Sequence, residues 1–217
     1  MEMGKSWMLP IDKTYSLVTQ LEGLEELKQA ASGKQGIILL APHLSNWEIF
    51  GMYVCQNIVS TFMYQPPKLP ALDRLLQRTR SRGGMKLAPA DRKGVSLVLK
   101  ALHRGEMVGV LPDQVPNDEG GVFANFFGEQ ALTMTLVSKL VARSQARVFC
   151  GFVVRLPKSG GFKLTIREAD KSIYDEDLIT SVSGLNKSVE NCVLTAVEQY
   201  QWEYKRFRRQ SDGEKFY

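Results

Sequence analysis

The chain has 217 residues, 44% of them hydrophobic, which is enough for one α/β domain with a sizeable core. Its three cysteines show no C-x-x-C spacing and it has only two histidines. We therefore expect reduced, mostly buried thiols and no metal site built from several histidines. The formal net charge is +5, and the sequence contains neither a run of 18 apolar residues nor a signal peptide.

The predicted elements alternate between helices and strands along the chain. In order, we predict a helix over 12–31, a strand over 37–41, a helix over 47–56, a strand over 58–64, a helix over 70–82, a strand over 85–88, a helix over 91–104 and a strand over 106–111. A helix over 133–146, strands over 147–156 and 162–167, and a last helix over 186–203 follow. This alternation predicts an α/β fold with a mostly parallel central sheet flanked by helices, and Pro157 to Gly161 predicts an antiparallel edge hairpin.

A histidine and a carboxylate follow the first predicted buried strand. That strand stops at Pro42, and His43 lies in the turn before a helix whose first turn contains Glu48. Ligands bind at this edge of open α/β sheets, and a carboxylate against an imidazole makes a general base suited to a hydroxyl nucleophile. The alternative is structural, because Ser45 to Glu48 also has the S-x-x-E pattern of a capping box.

The strand over 106–111 repeats this arrangement, since Pro112 and Asp113 follow it directly. The carboxyl ends of parallel strands meet at one edge of the sheet, so we expect Asp113 to lie on the same edge as His43. A turn or capping role for Asp113 is the alternative reading.

Three further segments have a notable charge or aromatic pattern. Between Lys68 and Arg104 there are ten Lys or Arg and two Asp, which indicates either an anion-binding surface or a solvated helix face. The aromatic stretch over 122–128 is compatible with core, with an acyl-chain tunnel or with bilayer contact. The basic-aromatic run over 205–209 is typical of membrane-surface segments. We find no nucleic-acid-binding motif.

Five segments occur in an order that resembles a known family. They are His43-Leu44-Ser45-Asn46-Trp47-Glu48, Arg78-Thr79-Arg80-Ser81-Arg82, Leu111-Pro112-Asp113-Gln114, Val122 to Gly128, and Gln201 to Phe207. Together they resemble the lipid A late (lauroyl/myristoyl) acyltransferases, within the H-x4-D/E glycerolipid acyltransferase-like superfamily. One departure is that Leu44-Ser45 replaces the more usual aromatic-Gly pair.

The resemblance implies a single acyltransferase domain over 1–217, from which the family's N-terminal membrane anchor is absent. It implies catalytic roles for His43, as the base, and Glu48, which would orient it. Backbone N–H groups near Ser45 are candidate oxyanion donors. The substrate-binding residues that it implies are Arg80, with Arg78 and Arg82 as close alternatives, Asp113 and Asn46.

The implied reaction moves a fatty acyl group from an acyl-carrier-protein thioester to a 3-hydroxyacyl hydroxyl of a lipid A precursor. The implied partners are acyl carrier protein, a phosphorylated glycolipid acceptor and the cytoplasmic face of the bacterial inner membrane, with peripheral attachment. No metal, cofactor or nucleic acid is implied. A related acyltransferase for another glycolipid or a lysophospholipid, or a non-catalytic lipid- or carrier-binding homologue, are the alternatives.

Overall fold

The computed structural model describes residues 2–211, 213 and 217. Its strands are β1 (Val18–Glu22), β2 (Ile37–Leu40), β3 (Ser60–Tyr64), β4 (Lys86–Pro89), β5 (Met107–Val110), β6 (Gly121–Phe126), β7 (Glu129–Met134), β8 (Arg147–Arg155) and β9 (Phe162–Glu168). Its helices are α1 (Glu2–Met8), α2 (Ile11–Tyr15), α3 (Leu24–Ala31), α4 (Trp47–Cys55), α5 (Pro70–Arg82), α6 (Arg92–His103), α7 (Leu136–Ser144) and α8 (Leu178–Val193). Short 3-10 turns lie at Asp118–Gly120, Lys171–Tyr174 and Val197–Gln199.

Seven strands form one sheet in the order β1-β9-β8-β2-β5-β3-β4, and β6 and β7 form a separate antiparallel pair. The five strands from β8 to β4 are parallel to one another, and β9 is antiparallel to β8. The predicted α/β class with a mostly parallel sheet and an antiparallel hairpin is therefore confirmed. Strand β1 pairs outside the hairpin, parallel to β9.

Strand β2 is buried on both faces, which explains its uninterrupted apolar sequence. Ile38 and Leu40 belong to the core cluster that includes side chains of α6, α7 and α8. Ile37 and Leu39 belong to the opposite cluster, with side chains of α3 and α4. The sheet is thus a central layer between two helical layers, and its strand ends are held in fixed positions.

The predicted helix over 12–31 is wrong, because strand β1 interrupts it. Gly23 separates β1 from α3 with φ 73°, and a Cβ there would lie 2.0 Å from the carbonyl oxygen of Ile166. Only glycine fits this close approach to β9. Pairing with β9 therefore overrides the helical spacing of the apolar residues.

The predicted last helix is displaced towards the N-terminus of the chain. Helix α8 begins after Asp177, whose carboxylate accepts the N–H of Thr180 at 2.8 Å, and it ends at Val193. The residues that follow form a short 3-10 turn and a bridge to Leu44 instead of continuing as a helix. The basic-aromatic run over 205–209 is accordingly not the end of a helix.

The helix predicted over 133–146 is shorter, since the residues up to Met134 belong to β7. Cys55, Cys150 and Cys192 are free and buried, as predicted. Among the described residues, no helix has both the length and the apolar composition needed to cross a bilayer. The single-domain prediction over 1–217 includes residues outside the described ones and stays a prediction.

Candidate active site

His43 and Asp113 meet at the carboxyl edge of the sheet. They lie three residues beyond the paired strand ends Leu40 and Val110 of β2 and β5. The imidazole Nδ1 lies 2.8 Å from Asp113 Oδ1, and the His43 backbone N–H donates to Asp113 Oδ2 at 2.8 Å. Both side chains are buried, with residue exposures of 8% and 4%. One carboxylate thus fixes both the ring and the backbone of the histidine.

The predicted contact between His43 and Glu48 is corrected by this geometry. Glu48 is 3% exposed, and its two oxygens accept from Arg80 Nε at 3.1 Å and Arg80 Nη2 at 2.6 Å. The carboxylate that orients the imidazole is Asp113, because β2 and β5 are neighbours in the sheet whereas Glu48 points to α5. Glu48 instead orients the Arg80 guanidinium by a bidentate ion pair.

The second ring nitrogen of His43 faces Gln114. An ionised carboxylate can only accept a hydrogen bond, so the neutral imidazole carries its proton on Nδ1, facing Asp113. The lone pair then lies on Nε2. The Gln114 side-chain nitrogen lies 3.2 Å from that Nε2, so its N–H can donate to the lone pair. The Trp47 ring packs against the imidazole edge, with centroids 4.7 Å apart. These contacts therefore fix the direction of the Nε2 lone pair, which points to the Gln114 side chain.

The turn that carries His43 has an unexpected conformation. Asn46, not Ser45, caps α4, because its Oδ1 accepts the N–H of Ile49 at 3.1 Å. Ser45 has φ 53°, in the left-handed region, where glycine is favoured. Its N–H donates to the carbonyl of Gln199 at 2.8 Å, so it is not available as an oxyanion donor. The proposed capping box of Ser45 and Glu48 is therefore wrong.

Asn46 was predicted to bind substrate, and the structure places it beneath the turn. It is 1% exposed, and its Oδ1 also accepts from the Ser6 hydroxyl at 3.1 Å. Within the described part of the chain, its side-chain nitrogen has no hydrogen-bond partner. A contact between Asn46 and substrate stays a prediction, while its capping role follows from these bonds.

The C-terminal segment supports the same turn, a relationship that sequence periodicity does not reveal. Leu44 and Tyr200 form an isolated antiparallel bridge, and the N–H of Gln201 donates to the carbonyl of His43 at 3.1 Å. The Tyr200 hydroxyl lies beside the Asp113 carboxylate, and burial first, then that negative charge, raises the pKa of Tyr200 well above its usual range. Tyr200 therefore stays a neutral donor beside Asp113.

Arg206 lies under this segment and is 4% exposed. Its guanidinium donates to the carbonyl of Leu132 at 2.7 Å and to Thr133 Oγ1 at 2.8 Å, and burial lowers its pKa. The interpretation of the run over 205–209 as a membrane-surface segment is thus wrong for Arg206, which is buried. Phe126, with 1% exposure, is a core residue, which settles that position of the aromatic stretch.

An apolar cleft of about 450 Å³ opens beside His43 and Arg80. This volume is within the range of small-molecule binding sites. Its apolar lining includes Phe62, Met63, Leu76, Met85, Met134 and Leu136. The Trp7 ring also lines the cleft, and its buried indole N–H has no hydrogen-bond partner among the described residues. The site therefore combines a histidine oriented by a carboxylate with a pocket suited to a hydrocarbon chain.

The structure separates Arg78, Arg80 and Arg82, the three arginines of α5 that were candidates for substrate binding. Arg80 lines the cleft, whereas Arg82 donates to the backbone carbonyls of Trp7 at 2.9 Å and Leu9 at 3.3 Å. Arg78 is exposed and is not among the residues that line the cleft. Of the basic block between Lys68 and Arg104, Arg80 is thus the member that lines the cleft. Anion binding by the rest of the block stays a prediction.

The fold and the site define an α/β protein in which a histidine–carboxylate pair faces an apolar cleft. The sequence profile described as bacterial lipid A biosynthesis acyltransferase matches residues 1–209, and the chain belongs to that family. It is 28% identical over 214 residues to the lipid A biosynthesis lauroyltransferase of Escherichia coli (strain K12), an alignment that covers 98% of this chain and 69% of that protein.

Two further relatives agree with this assignment. A lipid A biosynthesis acyltransferase of Haemophilus influenzae is 32% identical over 198 residues, which covers 90% of this chain and 61% of that protein. The lipid A biosynthesis palmitoleoyltransferase of Escherichia coli (strain K12) is 28% identical over 218 residues, with coverages of 98% and 69%. The chain thus spans about two thirds of the length of these relatives. The acyltransferase class is supported by all three names.

Proposed function

We propose that this chain transfers a fatty acyl group from an acyl-carrier-protein thioester to the secondary hydroxyl of a 3-hydroxyacyl chain on a lipid A precursor. The observation that carries the proposal is the His43–Asp113 pair, whose second ring nitrogen is directed towards the apolar cleft. A hydroxyl is a weak nucleophile until a base removes its proton, and a hydrocarbon chain is accommodated by an apolar pocket.

The proposed steps use the residues in defined roles. Gln114 moves aside, and His43 Nε2 takes the proton of the acceptor hydroxyl as its oxygen attacks the thioester carbonyl. Asp113 stabilises the imidazolium that forms. The tetrahedral oxyanion collapses, the C–S bond breaks, and the leaving sulfur takes the proton from His43. The products are an ester and a free thiol, and no acyl-enzyme is needed.

Arg80 is proposed to stabilise the oxyanion. Its guanidinium is held in place by Glu48 through two hydrogen bonds and lines the same cleft as His43. A preorganised cation that requires no reorganisation during the reaction is an effective stabiliser of developing negative charge. Glu48 would then act as a positioning residue through Arg80. No metal or cofactor is used in this proposal.

We further propose peripheral attachment to the cytoplasmic face of the bacterial inner membrane. Two large apolar side chains are exposed next to residues that line the cleft: Met8, with 75% exposure, follows Trp7, and Leu69, with 62% exposure, lies two residues after Pro67. Insertion of both side chains would bring the cleft to the bilayer surface, where the acceptor is dissolved.

The experiment is acyl transfer by the purified chain. Acyl carrier protein loaded with a lauroyl or palmitoleoyl group is mixed with an underacylated lipid A precursor, and the product mass is measured. We expect a mass increase of one acyl group that depends on His43 and is lost in His43→Ala. Transfer only from acyl-CoA, or only to a lysophospholipid or another glycolipid, would contradict the proposed donor or acceptor. No transfer from any thioester would contradict the enzyme assignment.

A further inference from the structure

A second cleft lies beside the catalytic one. It has a volume of about 570 Å³ and is lined by Val115, Pro116, Asn117, Arg208 and Arg209. Val115 and Pro116 also line the apolar cleft, so the two clefts share a wall. The three residue steps from Gln114 to Asn117 span at most about 11 Å even when the chain is fully extended. The two arginines therefore border a cleft that adjoins the site of the histidine base.

Contacts within the chain fix the segment that carries these arginines. The Tyr204 hydroxyl accepts the N–H of Val115 at 2.8 Å, and the Arg208 guanidinium lies 5.5 Å from the centroid of the Tyr204 ring. The buried Arg206 holds the segment to the carbonyl of Leu132. The second cleft is thus formed by two parts of the chain that are bonded to each other, and Arg208 is presented from a supported position.

Arg208 and Arg209 are exposed and line the second cleft. The wall that this cleft shares with the apolar cleft is formed by Val115 and Pro116. Both arginines are therefore positioned to meet an anionic part of a molecule whose reacting part lies at His43.

We infer that the second cleft binds a phosphate group of a substrate while the reacting part of that substrate lies in the apolar cleft. This inference rests on the proposed function and adds the residues that would hold the anionic end of a substrate. Guanidinium groups match the geometry of phosphate oxygens and keep their charge at any physiological pH. The phosphate belongs either to the sugar of the acceptor or to the prosthetic arm of the acyl-carrier donor.

The first experiment measures binding without turnover. The probe is an underacylated, bisphosphorylated lipid A precursor, compared with the same lipid after phosphatase treatment, with no acyl donor present. We expect the phosphorylated lipid to bind about tenfold more tightly, and Arg208→Gln/Arg209→Gln to remove this preference. Since Arg208 contacts Tyr204, Arg208→Lys/Arg209→Lys is measured as well, and it should retain most of the preference because it keeps both charges.

The matched control removes the same number of charges at the opposite edge of the sheet. Lys34 and Arg143 are exposed where the chain turns into β2 and β8, outside the basic block between Lys68 and Arg104. Lys34→Gln/Arg143→Gln should bind both lipids as the original chain does. An equal loss of preference in this control would overturn the inference, since it would show only a dependence on net charge.

The second experiment identifies the source of the phosphate. An increase of about tenfold in KM for the precursor in Arg208→Gln/Arg209→Gln assigns the cleft to the acceptor, and an increase in KM for the acylated carrier assigns it to the donor. Unchanged lipid preference together with unchanged KM for both substrates would overturn the inference. Because the lipid titration needs no chemistry, failure of acyl transfer in the original chain would contradict the proposed function and leave the binding result intact.

Discussion

The Asp113 carboxylate holds His43 at two points, with Oδ1 2.8 Å from the ring Nδ1 and Oδ2 2.8 Å from the backbone nitrogen. The second bond fixes the position of the main chain, and the first fixes the tautomer and direction of the ring. Because β2 and β5 are neighbours, the two residues reach each other at the shared carboxyl edge. His43 is therefore positioned by sheet topology and not by local helical spacing.

The first prediction concerns Asp113→Asn. An asparagine can donate its amide N–H to Nδ1, which would place the imidazole proton on Nε2 and remove the lone pair that accepts the substrate proton. We expect kcat to fall by about 10²–10⁴ with little change in KM. Steady-state acyl transfer measures this effect, and Asp175→Asn, on an exposed carboxylate, is the control. An Asp113→Asn chain with unchanged kcat would eliminate His43 as the base.

The second prediction concerns Gln114, whose amide faces the basic nitrogen at 3.2 Å. Gln114→Glu places a carboxylate next to Nε2, which favours the protonated imidazole. A protonated ring cannot accept the hydroxyl proton, so we expect activity to fall at neutral pH and the acid limb of the pH–rate profile to move to higher pH. Gln114→Ala should leave that limb in place. Identical profiles for the Glu and Ala variants would mean that Gln114 does not approach the base in solution.

The third prediction concerns the Glu48–Arg80 ion pair, in which Glu48 is 3% exposed. Removal of either partner leaves a buried charge without its counterion, so Glu48→Gln and Arg80→Gln should each lower the free energy of unfolding by about 3–5 kcal/mol. The double variant should lose less than the sum, by about 0.5–3 kcal/mol. Urea denaturation of all four chains measures this coupling.

The exposed pair of Glu25 and Lys28, 2.7 Å apart, provides the control cycle. Its coupling should be only about 0.2–0.5 kcal/mol, because solvent screens the charges. Equal couplings in the two cycles would contradict a buried, orienting ion pair. The acyl-transfer rate of Arg80→Gln should stay low in the double variant even where stability recovers, since the oxyanion then lacks its cation.

The fourth prediction concerns Ser45, which has φ 53° and a buried hydroxyl without a hydrogen-bond partner among the described residues. Ser45→Gly relieves the left-handed strain and removes that hydroxyl, so we expect a gain of about 1 kcal/mol in unfolding free energy. For a chain of this size this corresponds to a rise in Tm of about 2–4 °C. The control is Ser32→Gly, at φ −77°, which should be destabilised instead.

The fifth prediction concerns Met8 and Leu69 beside the cleft. Transfer of such side chains from water to an apolar environment is worth about 1.5–3 kcal/mol each. Met8→Ser/Leu69→Ser should therefore weaken flotation with phospholipid vesicles by at least about tenfold, whether or not the vesicles contain anionic lipid. The control is Leu21→Ser/Val59→Ser, which changes side chains of similar exposure on β1 and before β3, away from the cleft. Equal losses in both variants would contradict a membrane-facing cleft.

Much of the fold followed from the sequence where apolar spacing and local caps agree. Helix α5 begins at Pro70 and ends at Arg82 as predicted, and Asp91 caps α6 by accepting the N–H of Gly94 at 2.8 Å. Strand β1 was missed because its apolar residues also fit helical spacing. These residues form a strand because they pair with β9, which lies more than 130 residues further along the chain. Such long-range pairing has no local sequence signal.

In the candidate site, too, some features could be predicted from the sequence and others depend on long-range packing. The sequence by itself determined which chemical groups are present and on which sheet edge they lie, because His43 and Asp113 each follow a buried strand that ends at a proline. Only the tertiary structure decided the partners. Two carboxylates were available to one imidazole. The adjacency of β2 and β5 brings Asp113 to His43, while Arg80 on α5 lies within hydrogen-bond distance of Glu48 on α4. Hydrogen bonds form between groups that the packed chain brings within reach, and spacing along the sequence does not specify that distance.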